Sequence, residues 1–375
     1  MRICLLGPAY PYRGGISHFN QMLAAAMQAE HDVLIVSFSR LYPSLLFPGR
    51  TQYEERGARV RVDSRRLIDS INPLSWRRAA RAVVDFRPDL VVVQWWHPFF
   101  APAFRSIATR VRRGHRAPCV YLCHNVLPHE SGRADRTVVR WGLARADACL
   151  VQSEEDRGKL RALLPRMPVA VHPHPMYTQF ARGDMTREEA RRRLQVGGRV
   201  LLFFGLVRAY KGLRTLLAAY ARVAEALDAT LLVVGEFYED RKPYDALVAS
   251  LGIAARTRVI DRYIPDDEVA VYFCAADLVV LPYKSATQSG ITQTAFAFGR
   301  PVVVTAVGGL PDVVDDGVTG YVVPPENPAA LADAIERFFA TDAAARMERA
   351  IRAGADRFSW DGCARALIHL AGGAA

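Results

Sequence analysis

Short, unbroken runs of Val, Ile and Leu alternate with helix-period segments along this chain, and they do so twice. In the first half the runs fall at 3–7, 33–38, 60–62, 90–94, 119–123, 149–153 and 169–172. Helical periods occupy 17–28, 75–86, 101–113, 135–145 and 154–164 between them. A strand that is apolar at every position, not at every second one, is buried on both faces, and strands separated by helices pair in parallel. The pattern stops at 173–186, PHPMYTQFARGDMT, where prolines and polar residues carry no period, which marks a linker. It then restarts with 200–205, 230–235, 258–262, 278–283, 301–305 and 320–324. The expected architecture is α/β: two Rossmann-like, doubly wound parallel-sheet domains facing a central cleft. The expected boundaries are 1–175, 176–358, and a C-terminal helix at 359–375 crossing back to the first domain. Ligands of such sheets bind at the carboxyl ends of the strands.

The length of 375 residues suits two domains. The six cysteines, at 4, 119, 123, 149, 274 and 363, show no Cys-x-x-Cys spacing and read as buried free thiols of a reducing compartment. The N-terminal MRICLLGPAYP reads as a first strand, not as a leader. The uncharged run at 90–104 is broken by prolines and shorter than a spanning helix requires. These features point to a cytoplasmic protein, peripheral on the inner face of a membrane. The charge is lopsided. Residues 1–185 hold 27 Lys and Arg against 15 Asp and Glu, whereas the rest hold 22 against 23. An anionic partner for the first half explains that excess, and so does a general use of arginine for solubility.

Three segments are built for anions. The first strand runs into GPAYPYRGGISHFNQML, where Gly14 and Gly15 permit a backbone turn and Ser17 can cap the next helix, whose free amides suit a phosphate. A plain strand-to-helix turn is the competing reading. In FFGLVRAYKGLRTLL, Arg208 and Lys211 stand at a strand's carboxyl end beside a helix start, an arrangement fit to clamp a diphosphate or simply two solvated charges. In LPYKSATQSGITQTAFAFGRPVVVT, Ser289 and Gly290 place amides at another helix start.

Together these segments resemble glycosyltransferase family 4, of GT-B architecture. The likeness is strongest from Phe203 to Pro325 and includes the step Gly299-Arg300-Pro301-Val302-Val303. The Gly14-Gly15 turn and Cys123-His124-Asn125 add to it. The resemblance implies a retaining, metal-independent transfer of sugar from a nucleotide-diphosphate sugar to a glycan or lipid-linked acceptor, with no cofactor, in cell-envelope or extracellular polysaccharide synthesis. It implies that Arg208, Lys211 and His124 serve catalysis. Donor contacts fall to Gly14, Gly15, Glu236, Tyr263, Ile264, Gln288, Ser289, Gly290, Ile291 and Thr294. Two departures stand out. The family's glutamate pair, separated by seven residues, aligns with Ala286 and Thr294, and the arginine after the strand-end glycine aligns with Leu206. Thr294 and Gln293 can serve a ribose, Gln288 or Ser289 the sugar, and Arg208 replaces the missing arginine.

His97, His129 and Glu130 are candidates for the acceptor, each with a structural role as its alternative; His124 has the alternative of a packed core histidine. The arginine groups at 59–66, 77–81 and 105–116 and the apolar loops 41–48 and 95–100 suggest a lipid-linked acceptor at an anionic membrane surface. Arg105, Arg112 and Arg113 would share one face of the helix at 101–113. Core packing is the other reading of the two loops. The competing functions are a nucleotide-sugar-binding pseudoenzyme without the glutamates, or another GT-B enzyme such as an epimerase or phosphorylase. The G-x-G-x-x-G fingerprint of a nicotinamide dehydrogenase is absent, there is no D-x-D metal motif, and nothing beyond charge suggests nucleic acid.

Overall fold

Fully apolar strands need cover on both faces, and each half of the chain supplies it. The structure is a computed structural model and describes residues 1–43, 51–54, 60–127, 132–341 and 343–373. The chain divides into two compact units, Met1–Pro173 with Phe358–Ala375, and His174–Arg357.

Among the described residues, the first unit holds a parallel sheet of β1 (Arg2–Leu6), β2 (Asp32–Arg40), β3 (Ser64–Asp69), β4 (Leu90–Trp95), β5 (Cys119–Cys123), β6 (Ala148–Val151) and β7 (Val169–Val171). Its strand order is β3-β2-β1-β4-β5-β6-β7. The crossover helices are α1 (Gly15–Met27), α2 (Pro73–Phe86), α3 (Ala101–Gly114), α4 (Arg133–Leu143) and α5 (Glu154–Leu163). The order reverses between β1 and β4, so the carboxyl ends of those two strands form the crevice where a doubly wound sheet takes its ligand.

The second unit repeats the plan. Its elements are α6 (Arg187–Leu194), β8 (Arg199–Phe204), α7 (Leu213–Leu227), β9 (Ala229–Val234), α8 (Lys242–Ser250), β10 (Thr257–Ile260), α9 (Val269–Ala275), β11 (Leu278–Leu281), α10 (Gly290–Ala297), β12 (Val302–Thr305), β13 (Gly320–Val323), α11 (Pro328–Ala340) and α12 (Ala343–Ala353). The strand order is β10-β9-β8-β11-β12-β13, which reverses between β8 and β11. Local chemistry starts several helices. Ser153, Thr186, Ser289 and Asn327 each accept a backbone N–H of the first turn, and Pro328 follows Asn327 where its missing N–H costs nothing. The last helix, α13 (Trp360–Gly372), belongs to the first unit, where it packs on α1 and Trp360 meets Phe19 edge to face.

Two expectations fail locally, the core-packing reading holds at 95–100, and the arginines of α3 have partners. Residues 60–62 are not a strand; the Val62 N–H bonds the Gln21 side chain on α1, and the edge strand is the more polar 64–69. Ser17 does not cap α1, because it already lies inside the helix, whose cap is Gly14 at φ +104°. Residues 95–100 are not an apolar loop held outward: Trp95 and Phe100 are fully buried, and Phe100 packs against Phe38 and Phe104. The arginines of α3 are largely committed. Arg105 lies over the Trp141 ring and bonds its carbonyl, and Arg112 pairs with Asp147. The apolar segment 44–48, together with His129 and Glu130, lies outside the described residues. All six cysteines are buried free thiols.

Candidate functional site

In the second unit, the loops after β8 and β11 close on each other at the switch point. Gly212, at φ +70°, sits so close to β11's extension that a Cβ there would lie 1.8 Å from the Pro282 carbonyl oxygen. The Lys284 N–H donates to the Tyr210 carbonyl at 2.7 Å. These contacts bring Lys211 Nζ within 2.8 Å of the Tyr283 hydroxyl, which in turn lies 3.3 Å from Ser289 Oγ. Ser289 caps α10, accepting the Thr292 N–H. One cation, one phenol and one helix N-terminus are thus joined in a chain of hydrogen bonds. Burial pulls the Lys211 pKa down, but the Tyr283 and Tyr210 hydroxyls pull it up further, and the net shift is upward. The group therefore remains an ammonium.

Arg208 is exposed, its guanidinium 4.9 Å from the centre of the Tyr238 ring. Gly290 and Ile291 open α10, and the Ile291 side chain packs beside Gly205 at the end of β8. Glu236 is buried one residue past β9 and Gly235, and its carbonyl accepts the Val207 N–H. Tyr263 and Ile264 follow the end of β10, with Ile264 buried. Gln288 is half-buried beside Ser289. Thr294 is turned back on its own helix, its hydroxyl donating to the Gly290 carbonyl at 2.9 Å. Its neighbour Gln293 is 1% exposed, and neither end of its carboxamide has a hydrogen-bond partner among the described residues. A buried polar group left in that state costs about 1–3 kcal/mol.

The first unit builds a different edge. A Cβ on Gly7 would fall 2.5 Å from Gln94 Cγ, so the glycine at the end of β1 makes room for a polar side chain at the end of β4. The bonds then run in one direction. Asn20 Nδ2 donates to the Pro8 carbonyl (3.0 Å), Gln94 Nε2 donates to Asn20 Oδ1 (3.1 Å), and Gln94 Oε1 faces His124 Nε2 at 2.7 Å. The Pro8 carbonyl can only accept, so every later role follows, and His124 must carry its proton on Nε2. The His124 ring is buried and meets Phe19 edge to face at 4.7 Å. Gly14 and Gly15 open α1 with no side-chain cap. His97 Nδ1 accepts the Phe99 N–H and starts a short 3-10 turn; burial lowers its pKa.

The structure therefore brings Lys211 together with Ser289 in one unit, and His124 with Gln94 in the other. Sequence reasoning missed Tyr283, Asn20 and Gln94. The only available signal was a glutamine and an asparagine inside otherwise apolar periods.

Two family descriptions match the chain. Residues 14–176 match "Glycosyl transferase 4-like domain" and residues 198–341 match "Glycosyl transferases group 1". The chain is similar to D-inositol 3-phosphate glycosyltransferase 1 of Catenulispora acidiphila, with 34% identity over 271 residues covering 66% of this chain and 64% of that protein. D-inositol 3-phosphate glycosyltransferase of Corynebacterium diphtheriae is 30% identical over 260 residues, covering 66% and 60%. The chain thus spans less than two thirds of the length of these curated relatives. Among solved structures, sucrose-phosphate synthase from Thermosynechococcus elongatus superposes with a TM-score of 0.75 at 20% identity, over 99% of this chain and 98% of its own. Anabaena HepE in complex with UDP does so with a TM-score of 0.76 at 19% identity, over 98% and 99%. These likenesses show the fold.

Proposed function

The chain belongs to glycosyltransferase family 4, with the GT-B fold, and on that premise we propose that it moves a sugar, with retention of configuration, from a nucleotide-diphosphate sugar to a glycan or lipid-linked acceptor. The observation that carries this reading is the Lys211–Tyr283–Ser289 chain at the N-terminus of α10. A fixed ammonium and free helix amides are what a departing diphosphate needs, because its negative charge grows as the glycosidic bond breaks. Arg208 adds a second cation from the same loop. The bonding electron pair goes to the phosphate oxygen, leaving an oxocarbenium-like sugar. The acceptor hydroxyl then attacks from the face the phosphate leaves, and its proton passes to that phosphate oxygen.

In this reading no metal or cofactor takes part. Gln293 supplies hydrogen bonds to donor hydroxyls in place of the missing glutamates, and its unpartnered carboxamide supports that role better than Thr294, whose hydroxyl is already spent. Backbone groups at Tyr263 and Ile264 serve the base, and Glu236 and Gln288 the sugar. His124, held with its proton on Nε2, serves sugar hydroxyls. The names of the curated relatives, which act on an inositol phosphate, favour a phosphorylated acceptor. Cell-envelope or extracellular polysaccharide synthesis, at the cytoplasmic face of a membrane, fits the basic first half. No helix among the described residues is long and apolar enough to cross a membrane. With Arg105 and Arg112 committed, exposed Arg77, Arg78, Arg113 and Arg116 carry the surface attraction, which sedimentation with anionic liposomes at low and high salt tests.

The deciding experiment is a thermal-shift panel of UDP-, GDP- and other nucleotide sugars, followed by NMR of the product formed with the best donor. A donor well above its dissociation constant should stabilise the protein by a few kcal/mol, and the product should keep the donor's anomeric configuration. An inverted product would remove the retaining mechanism. The absent glutamates, at Ala286 and Thr294, favour one second reading, a donor-binding protein without turnover; stabilisation with neither transfer nor hydrolysis would establish it.

A further inference from the structure

Between the loop after β1 and the start of β3, in the first unit, lies a cavity of about 270 Å³. It is lined by Tyr10, Arg61, Asp63, Ser64 and Arg66, with Pro11 and Val62. Its walls are anchored. The Ala9 N–H bonds Ser37 Oγ on β2, and the Val62 N–H bonds Gln21 on α1. Arg66 Nε and Nη2 donate to the carbonyls of Phe38 and Ser39 at 3.2 and 3.4 Å, which sets the plane of its guanidinium. Arg61 lies over the Tyr10 ring at 5.1 Å and Arg66 over the Tyr12 ring at 5.6 Å.

Neither arginine pairs with a carboxylate among the described residues, although Arg40 and Arg112 of the same unit do. The guanidinium fork of Arg61 and the Nη1 end of Arg66, which its two carbonyl bonds leave open, stand at one cavity and make a recognition element for an anion. A carboxylate offers two oxygens and satisfies one fork. A phosphate monoester offers three terminal oxygens and can satisfy the Arg61 fork and Arg66 Nη1 together. Asp63 and Ser64 share the cavity and add an acceptor and a hydroxyl, the groups that bond ring hydroxyls. The volume lies just under the usual range for drug-sized ligands, about 300–1,000 Å³, and suits a single ring.

We propose that this cavity binds a phosphate monoester carried on a hydroxylated ring, a sugar or cyclic polyol. Arg61 and Arg66 clamp the phosphate, and Asp63 and Ser64 hold ring hydroxyls. The proposal rests on the reading of the first unit as the acceptor side of a sugar transferase, and it gives that acceptor its charged group.

The test is calorimetric titration of the full chain with glucose 6-phosphate, glucose, glucuronate and inorganic phosphate, without nucleotide, so that it needs no turnover. Glucose 6-phosphate should bind, weaken with salt, and exceed both glucose and glucuronate. Arg61→Ala should lower its affinity roughly 10-fold, and the double variant Arg61→Ala/Arg66→Ala roughly 100-fold, the scale of charge-assisted hydrogen bonds. Arg61→Lys should fall between wild type and Arg61→Ala, since it keeps the charge and loses the fork. The Arg61 side chain is exposed, so that variant should fold even where Arg66→Ala does not. Asp63→Asn should strengthen inorganic phosphate more than glucose 6-phosphate, because it removes repulsion but also a hydroxyl acceptor. Nucleotide-sugar binding should be unchanged in all of them. No binding of glucose 6-phosphate, equal binding of glucose or glucuronate, or a double variant that binds like wild type would each overturn the proposal. Failure of sugar transfer with this binding intact would instead count against the enzymatic reading alone.

Discussion

Two sheets that reverse their strand order at the same place, one of seven strands and one of six, carry different chemistry at their switch points. The edge of β8 and β11 holds a cation, Lys211, whose surroundings favour its charge. The edge of β1 and β4 holds an amide–imidazole chain, Asn20–Gln94–His124, in which one proline carbonyl assigns both amides and the proton on His124 Nε2. The first unit does bury carboxyl groups, those of Glu54 and Asp156. Asp156, in the first turn of α5, is 1% exposed, and burial pushes its carboxyl up to about 6 despite Lys159. The fold thus decides where a ligand can sit, and side chains on the same scaffold decide what charge it must have. In the proposed transfer, one edge takes the anion and the other orients hydroxyls.

The largest effect should come from emptying the charged edge. Lys211→Ala or Arg208→Ala should cut turnover by about 10²–10³, the loss associated with removing one preorganised charge stabiliser. Arg208 precedes and Lys211 ends a short 3-10 turn after β8, outside the strands and long helices, so melting curves should move little. Near-normal turnover in both variants would erase the contrast between the edges.

A second test asks whether the first unit truly disfavours buried charge. The Asp156 pKa is raised from 3.8 to about 6, so the folded state holds that proton more tightly than the unfolded state. The linked stability is present below the unfolded value and is lost as pH rises through 6. At 1.36 kcal/mol per unit, the loss is roughly 3 kcal/mol between pH 4 and pH 7. Asp156→Asn should remove that component, so urea melts at the two pH values should differ less in the variant. An unchanged slope would place the pH dependence elsewhere.

A smaller effect should follow from Tyr283→Phe, which keeps the ring and removes the hydroxyl between Lys211 and Ser289. About a tenfold fall in kcat is expected, the equivalent of one hydrogen bond worth roughly 1.4 kcal/mol. The alkaline limb of the pH–rate profile should also move down, because Lys211 loses a group that raises its pKa. A change in stability without either kinetic change would make Tyr283 a packing residue only.

The two edges were unequally legible in the sequence. Arg208, Lys211, Ser289 and Gly290 stand beside strand ends and helix starts, so local periodicity alone located them. Tyr283 looked like the end of an apolar run, because its partner Lys211 lies 72 residues away. Gln94 and Asn20 are 74 residues apart and meet only when β1 and β4 pair. The buried strands were readable because all their residues are apolar. The edge strand β3 was not, because with one open side it carries Arg65 and Arg66 outward, and the neighbouring VRV mimicked it. The aromatic run at 95–100 was ambiguous for the same reason in reverse: bulky side chains at a strand end look alike whether they face a core or a lipid.

In the proposed transfer, fixed cations of the second unit, and no metal, hold the diphosphate of the donor. The most direct measurement is calorimetric titration, in excess EDTA, of the wild type and Lys211→Ala with the nucleoside diphosphate of the donor selected by the thermal-shift panel, and with the corresponding monophosphate. Wild type should bind the diphosphate more tightly than the monophosphate, and most of that difference should vanish in Lys211→Ala. A difference that survives the substitution, or that appears only when Mg²⁺ or Mn²⁺ is restored, would contradict the account.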